Sequence, residues 1–539
     1  MLVVGMKRLC RVGLAAVLAT ALCVLTLVDM PLQLPESQTD SPPTSGIEPP
    51  GTRSIVAYSW ARRLALDYRP SHECTYNGSI SESSTNKLNI VHESWTETIS
   101  NNLFLYSGYL DIRVTGYPSV RVIGVKREPM TSGILFCTIW QKDHDGIHSY
   151  SMEAIISDIW LDEWTTTSIG YTGILITCPL PDHASHPSHV YIGTTSCYKN
   201  PSHSLIVKQP LNIQNKIDFT LCVKGLDFDK DISQKIIAFI ELSRILGAGM
   251  IYIYVFNIHN NVKKVLNYYE KTNIIKWFNI NLPGNLPNDK INRRKLFNKN
   301  IWIKRRMELI PYNHCFYDNI YQSNYIIPID IDEMIIPIGT INWSQLIINE
   351  KKKLGKSFND YASYAVRNVF FFPELKKITN NNNNSSSNNN NNNTNKFKSD
   401  DDVAIVADNN NNNNNDNSID EEKNDDDDDN IEYLNYLEIL RTSIVSPEGD
   451  SVKSFISTKR TLTVHNHYAL MTLNPSTRRA HHFDPGDVLK HHYRKCDGEH
   501  FDCNLMMNDV TIDESILRYA EILKTRVKNA LFNINALID

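Results

Sequence analysis

Residues 325–337 read YIIPIDIDEMIIP, with three acids, Asp330, Asp332 and Glu333, set between two apolar runs. Carboxylates sealed among apolar side chains are costly unless cations meet them. Hard oxygen donors at this spacing suit Mg²⁺ or Mn²⁺, and either ion grips a diphosphate. The same tetrapeptide also suits a solvated acidic turn between two strands. The run before it, Tyr325 to Ile329, is short, apolar and rich in β-branched residues, as expected of a buried strand in a parallel sheet. Acids capping the carboxyl end of such a strand lie where α/β sheets bind ligands.

The segments upstream must supply that sheet. From Phe219 onward the pattern alternates. Phe219 to Val223 reads as a strand, and Ile232, Ile236, Phe239, Ile240 and Leu246 recur at helical spacing, stopped by Gly247 and Gly249. Met250 to Phe256 is an apolar strand, Val262 to Lys271 a helix, Ile274 to Ile280 a third strand and Ile301 to Tyr312 a helix. Strands alternating with helices in this way predict βαβ units and a parallel sheet. The α/β region is placed at 211–539. Residues 71–210 read differently. Short β-rich runs at Asn102 to Arg113, Ser119 to Val125, Gly133 to Gln141, Tyr150 to Ser157, Tyr171 to Cys178 and His189 to Thr194 predict an all-β, sandwich-like domain.

The 539 residues leave room for two or three domains. The net charge of −5 conceals a local excess: Asp400 to Asp429 holds thirteen acids and one Lys, so −12 there leaves +7 for the rest. That mild basic excess suits a phosphate-bearing substrate and is too weak for nucleic acid. The acidic run lies in an Asn-, Ser- and Asp-rich insert, 379–430, whose composition builds no core. The segments flanking it, Tyr361 to Phe372 and Tyr433 to Leu440, are apolar and should meet in space.

At the amino terminus, Lys7, Arg8 and Arg11 precede an uncharged apolar run, Val12 to Val28. This predicts a 1–11 cytoplasmic tail, an uncleaved transmembrane anchor at 12–28 and a lumenal remainder. A Pro-, Ser- and Thr-rich stem follows at 29–70. Eight cysteines beyond the anchor are an even set, enough for four disulfides in an oxidising lumen, with Cys496 and Cys503 expected to form a local one. Asn77 and Asn342 stand in glycosylation sequons.

Towards the carboxyl end, His465, His467, His481, His482, His491, His492 and His500 fall within 36 residues. Of these, His465, His467 and His492 are candidates for a metal shell, and Arg494 for pairing with diphosphate oxygens.

The order of these features resembles glycosyltransferase family 92, a galactosyltransferase-like family. The resemblance rests on LYSGYLDIR with VRVIGV and LFCTIW, on FTLCVKGL, IAFIELSRILGAGMIYIYVFN and LNYYEKTNIIKW, on HCFYDNIYQSNYIIPIDIDEMIIP, and on HHYRKC. Where the family carries a Pro after the Cys, Cys222 is followed by Val-Lys-Gly. The resemblance implies a GT-A-type nucleotide-sugar-binding fold and an inverting, metal-dependent hexose transfer, of galactose, from a UDP-sugar to a glycan acceptor. It implies Asp330 beside the nucleotide and Asp332, Glu333, His465 and His467 around Mn²⁺ or Mg²⁺. A base must then take the acceptor's proton; Glu448, Asp484 and Asp487 are the candidates. With the anchor, this describes a single-pass type II protein of the Golgi membrane. The alternative is a membrane-anchored glycan-binding or adhesion protein whose transferase domain is inactive.

Overall fold

The computed structural model describes residues 72–74, 95–375 and 432–536, apart from short stretches within these ranges. The tail, anchor and stem, Asn77, His500 and the 379–430 insert lie outside the described residues. No helix among the described residues is long and apolar enough to cross a membrane.

The amino-terminal layer is all β: β1 (His72–Cys74), β2 (Thr96–Ile99), β3 (Leu103–Asp111), β4 (Ser119–Arg127), β5 (Phe136–Asp143), β6 (Gly146–Glu153), β7 (Ile155–Asp158), β8 (Tyr171–Pro179), β9 (Pro187–Gly193) and β10 (Leu205–Lys208). They form one path, β1-β6-β5-β9-β10-β3-β4-β8-β7, with β2 beside β3. The two halves fold over one apolar core that includes Leu105, Val122, Ile139, Met152, Ile176 and Ile192. The Cys137–Cys178 disulfide joins β5 to β8 across it, and Cys74–Cys197 closes the β1 side.

The α/β region follows the alternating pattern. Its elements are β11 (Ile217–Asp227), α1 (Ser233–Leu246), β12 (Ala248–Asn257), α2 (Asn260–Lys271), β13 (Ile275–Asn279), α3 (Lys290–Lys299), α4 (Ile301–Asn319), β14 (Ser323–Pro328), β15 (Glu333–Pro337), α5 (Trp343–Leu354), β16 (Tyr361–Val366) and β17 (Asn368–Phe371). Beyond the insert come β18 (Leu440–Thr442), β19 (Lys453–Ser457), β20 (Thr461–Val464), β21 (Ala469–Thr472), β22 (Arg478–His482), β23 (Val488–Tyr493), α6 (Cys503–Asn508), β24 (Val510–Ile512) and α7 (Ala520–Asn535).

The main sheet runs β13-β12-β11-β14-β19-β16-β22. Its first four strands are parallel, and β19 is antiparallel to β14 and β16. The chain builds outward from β11 to β13 and then returns to place β14 on the other side of β11. The order therefore reverses between β11 and β14, and a crevice opens beyond the carboxyl ends of strands at such a reversal. A smaller sheet, β15-β23-β17, lies beside it.

Alternation along each strand decides which face meets which helices. In β12, Ile251, Ile253 and Val255 pack with α1 and α2, whereas Tyr252 and Tyr254 turn to the opposite face, towards α4. That second core runs on without a break into the β layer, through Phe104, Tyr109, Val125 and Leu175. Helix α4 is thus buried on every side from Leu309 to Tyr317. This explains why it extends past Tyr312, where the sequence pattern ends: with no solvent face there is no periodicity to follow. Pro311 sits inside it. Helix α3 escaped the sequence reading for the opposite reason. It is mostly polar, KINRRKLFNK, and buries only Arg293 and Phe297. The segments on either side of the insert do meet: the Ser446 N–H donates to the Asn368 carbonyl at 2.9 Å, and Leu440 packs on Phe370 and Phe372.

Gly247, at φ 121°, ends α1 and donates its N–H to the Ser243 and Arg244 carbonyls. Gly249 serves a different purpose. It lies in β12, where a Cβ would come 1.9 Å from Cγ2 of Ile217 on β11. Gly249→Ala is therefore expected to lose about 1–3 kcal/mol of stability through overpacking, read from urea unfolding. A loss under about 0.5 kcal/mol would show that the β11–β12 contact yields easily.

Candidate active site at the carboxyl ends of the parallel strands

A cleft of about 1100 Å³ opens at the reversal of strand order. Residues 330–332 form its floor as a turn between β14 and β15. The turn closes on itself: the Glu333 N–H donates to the Asp330 carbonyl and the Asp330 N–H to Glu333 Oε2, both at 3.1 Å. The Tyr493 N–H holds the Asp332 carbonyl at 2.8 Å, and the Tyr436 hydroxyl donates to the Ile331 carbonyl.

Three lysines answer two of the three acids, Asp330 and Glu333. Lys224, near the end of β11, lies 3.3 Å from Asp330 and 3.5 Å from Glu308 of α4. Lys453, at the start of β19 and fully buried, lies 3.2 Å from Asp330 and 3.2 Å from Glu333. Lys490 of β23 donates to Glu333 at 2.5 Å. Burial opposes ionisation of the Asp330 carboxyl, but Lys224 and Lys453 outweigh it and hold it down at about 2. Glu333 is likewise held below the ordinary carboxylate range by Lys453 and Lys490 against the effect of burial. Asp332 differs. Its side chain is 34 % exposed and faces His492 at 3.6 Å. Burial again opposes ionisation, and His492 beside it brings the carboxyl to about 2.

Strand β23 presents its residues with period two. Lys490, His492 and Arg494 all line the cleft, whereas His491 points away and packs on Phe371 and Tyr493. The predicted pair His465 and His467 stands in a turn after β20, with the His465 N–H bonded to the Tyr468 carbonyl. His467 lines the cleft, and its Nδ1 donates to the Val452 carbonyl at 2.7 Å, so Nε2 keeps its lone pair. Burial, then the charge of Lys453, push it down to about 3, so it is neutral. His465 lies outside the cleft lining, its ring tilted against that of Trp164 at 4.5 Å. Glu448, Asp484 and Asp487 are also absent from the lining; Asp487 pairs with Lys353 instead. The acids that line the cleft besides the turn are Asp227, held by Arg293 and Arg294, and Glu308.

The residues that sequence reasoning missed are cationic. Lys224 and Lys490 follow apolar residues within their strands and Lys453 opens a fully buried one, and an interior lysine there implies a carboxylate partner. Together with Arg494, Lys230, Lys235 of α1, and Lys304 and Arg305 of α4 complete a lining of eight cations against five acids, a net of +3.

Among the described residues no group of three or more His, Cys, Asp and Glu side chains is arranged to hold a metal ion. A hard divalent ion needs fewer from the protein when phosphate and water fill its remaining positions. The pair suited to that is Asp332 with His492, because both Glu333 oxygens are already taken by lysines.

The family model of glycosyltransferase family 92 matches residues 217–528, from β11 through most of α7. The chain belongs to glycosyltransferase family 92. No curated protein matches it significantly. The matched region contains the main sheet, the acidic turn and all three lysines, so the cleft lies within the family 92 transferase domain. Among the described residues eight cysteines pair as four disulfides, with Cys496–Cys503 local as expected and Cys222–Cys315 tying β11 to α4 two residues before Lys224.

The two ends of the turn should differ sharply on substitution. Glu333→Gln leaves the buried Lys490 without its counter-charge and Lys453 with Asp330 alone, and is expected to cost about 3–5 kcal/mol of stability. Asp332→Asn, at a partly exposed site, is expected to cost less than about 1 kcal/mol. Thermal unfolding of the two variants side by side checks this; equal losses would refute the distinction.

Proposed function

We propose that this family 92 transferase moves a hexose, galactose, from a UDP-sugar to a sugar on a glycan, with inversion at the transferred carbon, and that its domain is of GT-A type. One observation carries the reading: a cleft of net positive charge opens where the strand order reverses, floored by a carboxylate turn. A nucleotide diphosphate is the ligand that fits both features, since its charge meets the cations and its oxygens share a metal with the acids.

In this reading Asp330 faces the nucleotide, and Lys224 and Arg494 face its diphosphate. Asp332 and His492 would hold Mn²⁺ or Mg²⁺, which when bound helps neutralise charge on the diphosphate. The chain's own cations do the same from fixed positions, opposing the charge that builds on the leaving group as the glycosidic bond breaks. The site of action is the Golgi lumen, with 12–28 as the anchor. Support for this placement comes from the basic residues preceding that apolar run.

The test is to incubate the full chain with a panel of nucleotide sugars and glycan acceptors, with and without Mn²⁺. Transfer is expected from UDP-galactose, and Asp332→Ala should lower it by about 100-fold or more while keeping the thermal transition of the parent. Undiminished transfer in that variant would remove Asp332 from the metal. Glycan binding with no affinity for any nucleotide would replace the transferase reading with that of a binding protein.

A further inference from the structure

The ion pairs in the cleft form one chain of alternating sign: Glu308, Lys224, Asp330, Lys453, Glu333, Lys490. Glu333 lies inside that chain. Its Oε1 accepts from Lys490, and its Oε2 meets Lys453 and the Asp330 N–H. A carboxylate engaged on both oxygens by buried ammonium groups coordinates a metal only by breaking those pairs, and uncompensated buried charge is costly. Two of the three acids of the turn are therefore neutralised by the protein itself.

Strand β11 is shaped to bring Lys224 into this chain. Its register with β12 shifts between Val223 and Leu226, so Lys224 and Gly225 form a bulge. Bulges next to sites re-aim side chains out of the ladder. Gly225 permits it: a Cβ there would meet the Phe256 ring at 2.6 Å and Ile280 at 2.9 Å. All three lysines line the cleft, but the Lys224 side chain is 26 % exposed whereas those of Lys453 and Lys490 are buried. Lys224 is thus the ammonium group of the chain most open to bound ligand.

Resting on the nucleotide-sugar reading above, we propose that this protein grips its nucleotide diphosphate chiefly through protein ammonium groups, with Lys224 foremost. Nucleotide binding then persists without a divalent ion, and Glu333 is a positioning residue for the lysines. The metal, held by Asp332 and His492, adds an increment to binding and is not its foundation.

UDP titration of the full chain by calorimetry, first in excess chelator and then in Mn²⁺, tests this. Wild type is expected to bind UDP in chelator within about tenfold of its Mn²⁺ affinity. Losing one charge-assisted contact corresponds to roughly a tenfold or greater loss, so Lys224→Met should show that loss in chelator. Lys224→Arg should recover to within about threefold by the same scale. Asp332→Asn should keep its chelator affinity and lose the Mn²⁺ increment, whereas Glu333→Gln should weaken binding in chelator and keep the increment. Lys224→Met should still fold, because Asp330 retains Lys453 and Glu308 retains Lys304; its thermal transition and that of Lys224→Gln verify this. Wild-type binding abolished by chelator and restored by Mn²⁺, or Lys224→Met binding as wild type does in chelator, would overturn the proposal. Loss of the Mn²⁺ increment in Glu333→Gln would make Glu333 a ligand. No UDP binding under either condition would overturn the UDP-sugar reading itself, and this proposal with it.

Discussion

Charge cannot be buried alone, and that constraint organises the catalytic half of this molecule. Two carboxylates just beyond the end of β14, Asp330 and Glu333, face an interior built for apolar side chains. Each ion taken out of water costs several kcal/mol after relaxation. The offset comes from Lys224, Lys453 and Lys490, which arrive on three different strands. The consequence is topological as well as electrostatic. Lys453 belongs to the main sheet and Lys490 to the small one, and Glu333 joins them. The ion chain therefore fixes the register at which the two sheets meet, at the place where a ligand must be held to within a fraction of an ångström.

The β layer contributes stiffness to the same corner. Helix α4 lies between that layer and the main sheet, with Arg306 donating to Thr172 of β8 at 2.7 Å. Arg113, beyond the end of β3, reaches the Thr458 and Thr461 carbonyls around the β19–β20 connection. The helix is pinned to β11 by Cys222–Cys315. Its first turns carry Trp302, Lys304, Arg305 and Glu308 into the cleft. A helix clamped on both faces cannot shift without disturbing two cores at once, so the groups it presents are held in place before any ligand arrives.

The fold was legible in the sequence wherever packing is one-sided or strictly alternating. The strand–helix alternation from Phe219, the acidic turn at a carboxyl end and five of the six β runs before it appear at the expected places, and the remaining run, Tyr150 to Ser157, is divided at Ala154 between β6 and β7. Legibility ended where burial became complete or local pattern vanished. The far half of α4 has no polar face to mark it, α3 has almost no apolar one, and β10 is four residues long. At the site, Asp330, Asp332, Glu333, His467, His492 and Arg494 all reach the cleft, whereas His465 does not. The alternation of β23 separates His491 from His492, and only knowledge of the strand's phase tells which of them faces inward. The lysines were harder still, because a single lysine in an apolar run reads as a surface residue until its partner is known. Lys453 and Glu333 are 120 positions apart, and nothing local links them.

The interior counter-charges also settle how the corner behaves towards protons. Carboxylates crowded into one turn would ordinarily share protons, since like charges in a poorly solvated space resist ionising together. Here the lysines, and His492 at Asp332, reverse that tendency: Asp330 and Asp332 are held at about 2, and Glu333 is held low as well. Their folded-state values lie below the ordinary carboxylate range. The stability they contribute is therefore complete above that range and is lost only as pH falls through it towards about 2. Across neutral and mildly acidic conditions the turn stays fully ionised. A cation or a nucleotide approaching it then displaces water and not protons, and the geometry it meets is the one the lysines have already set.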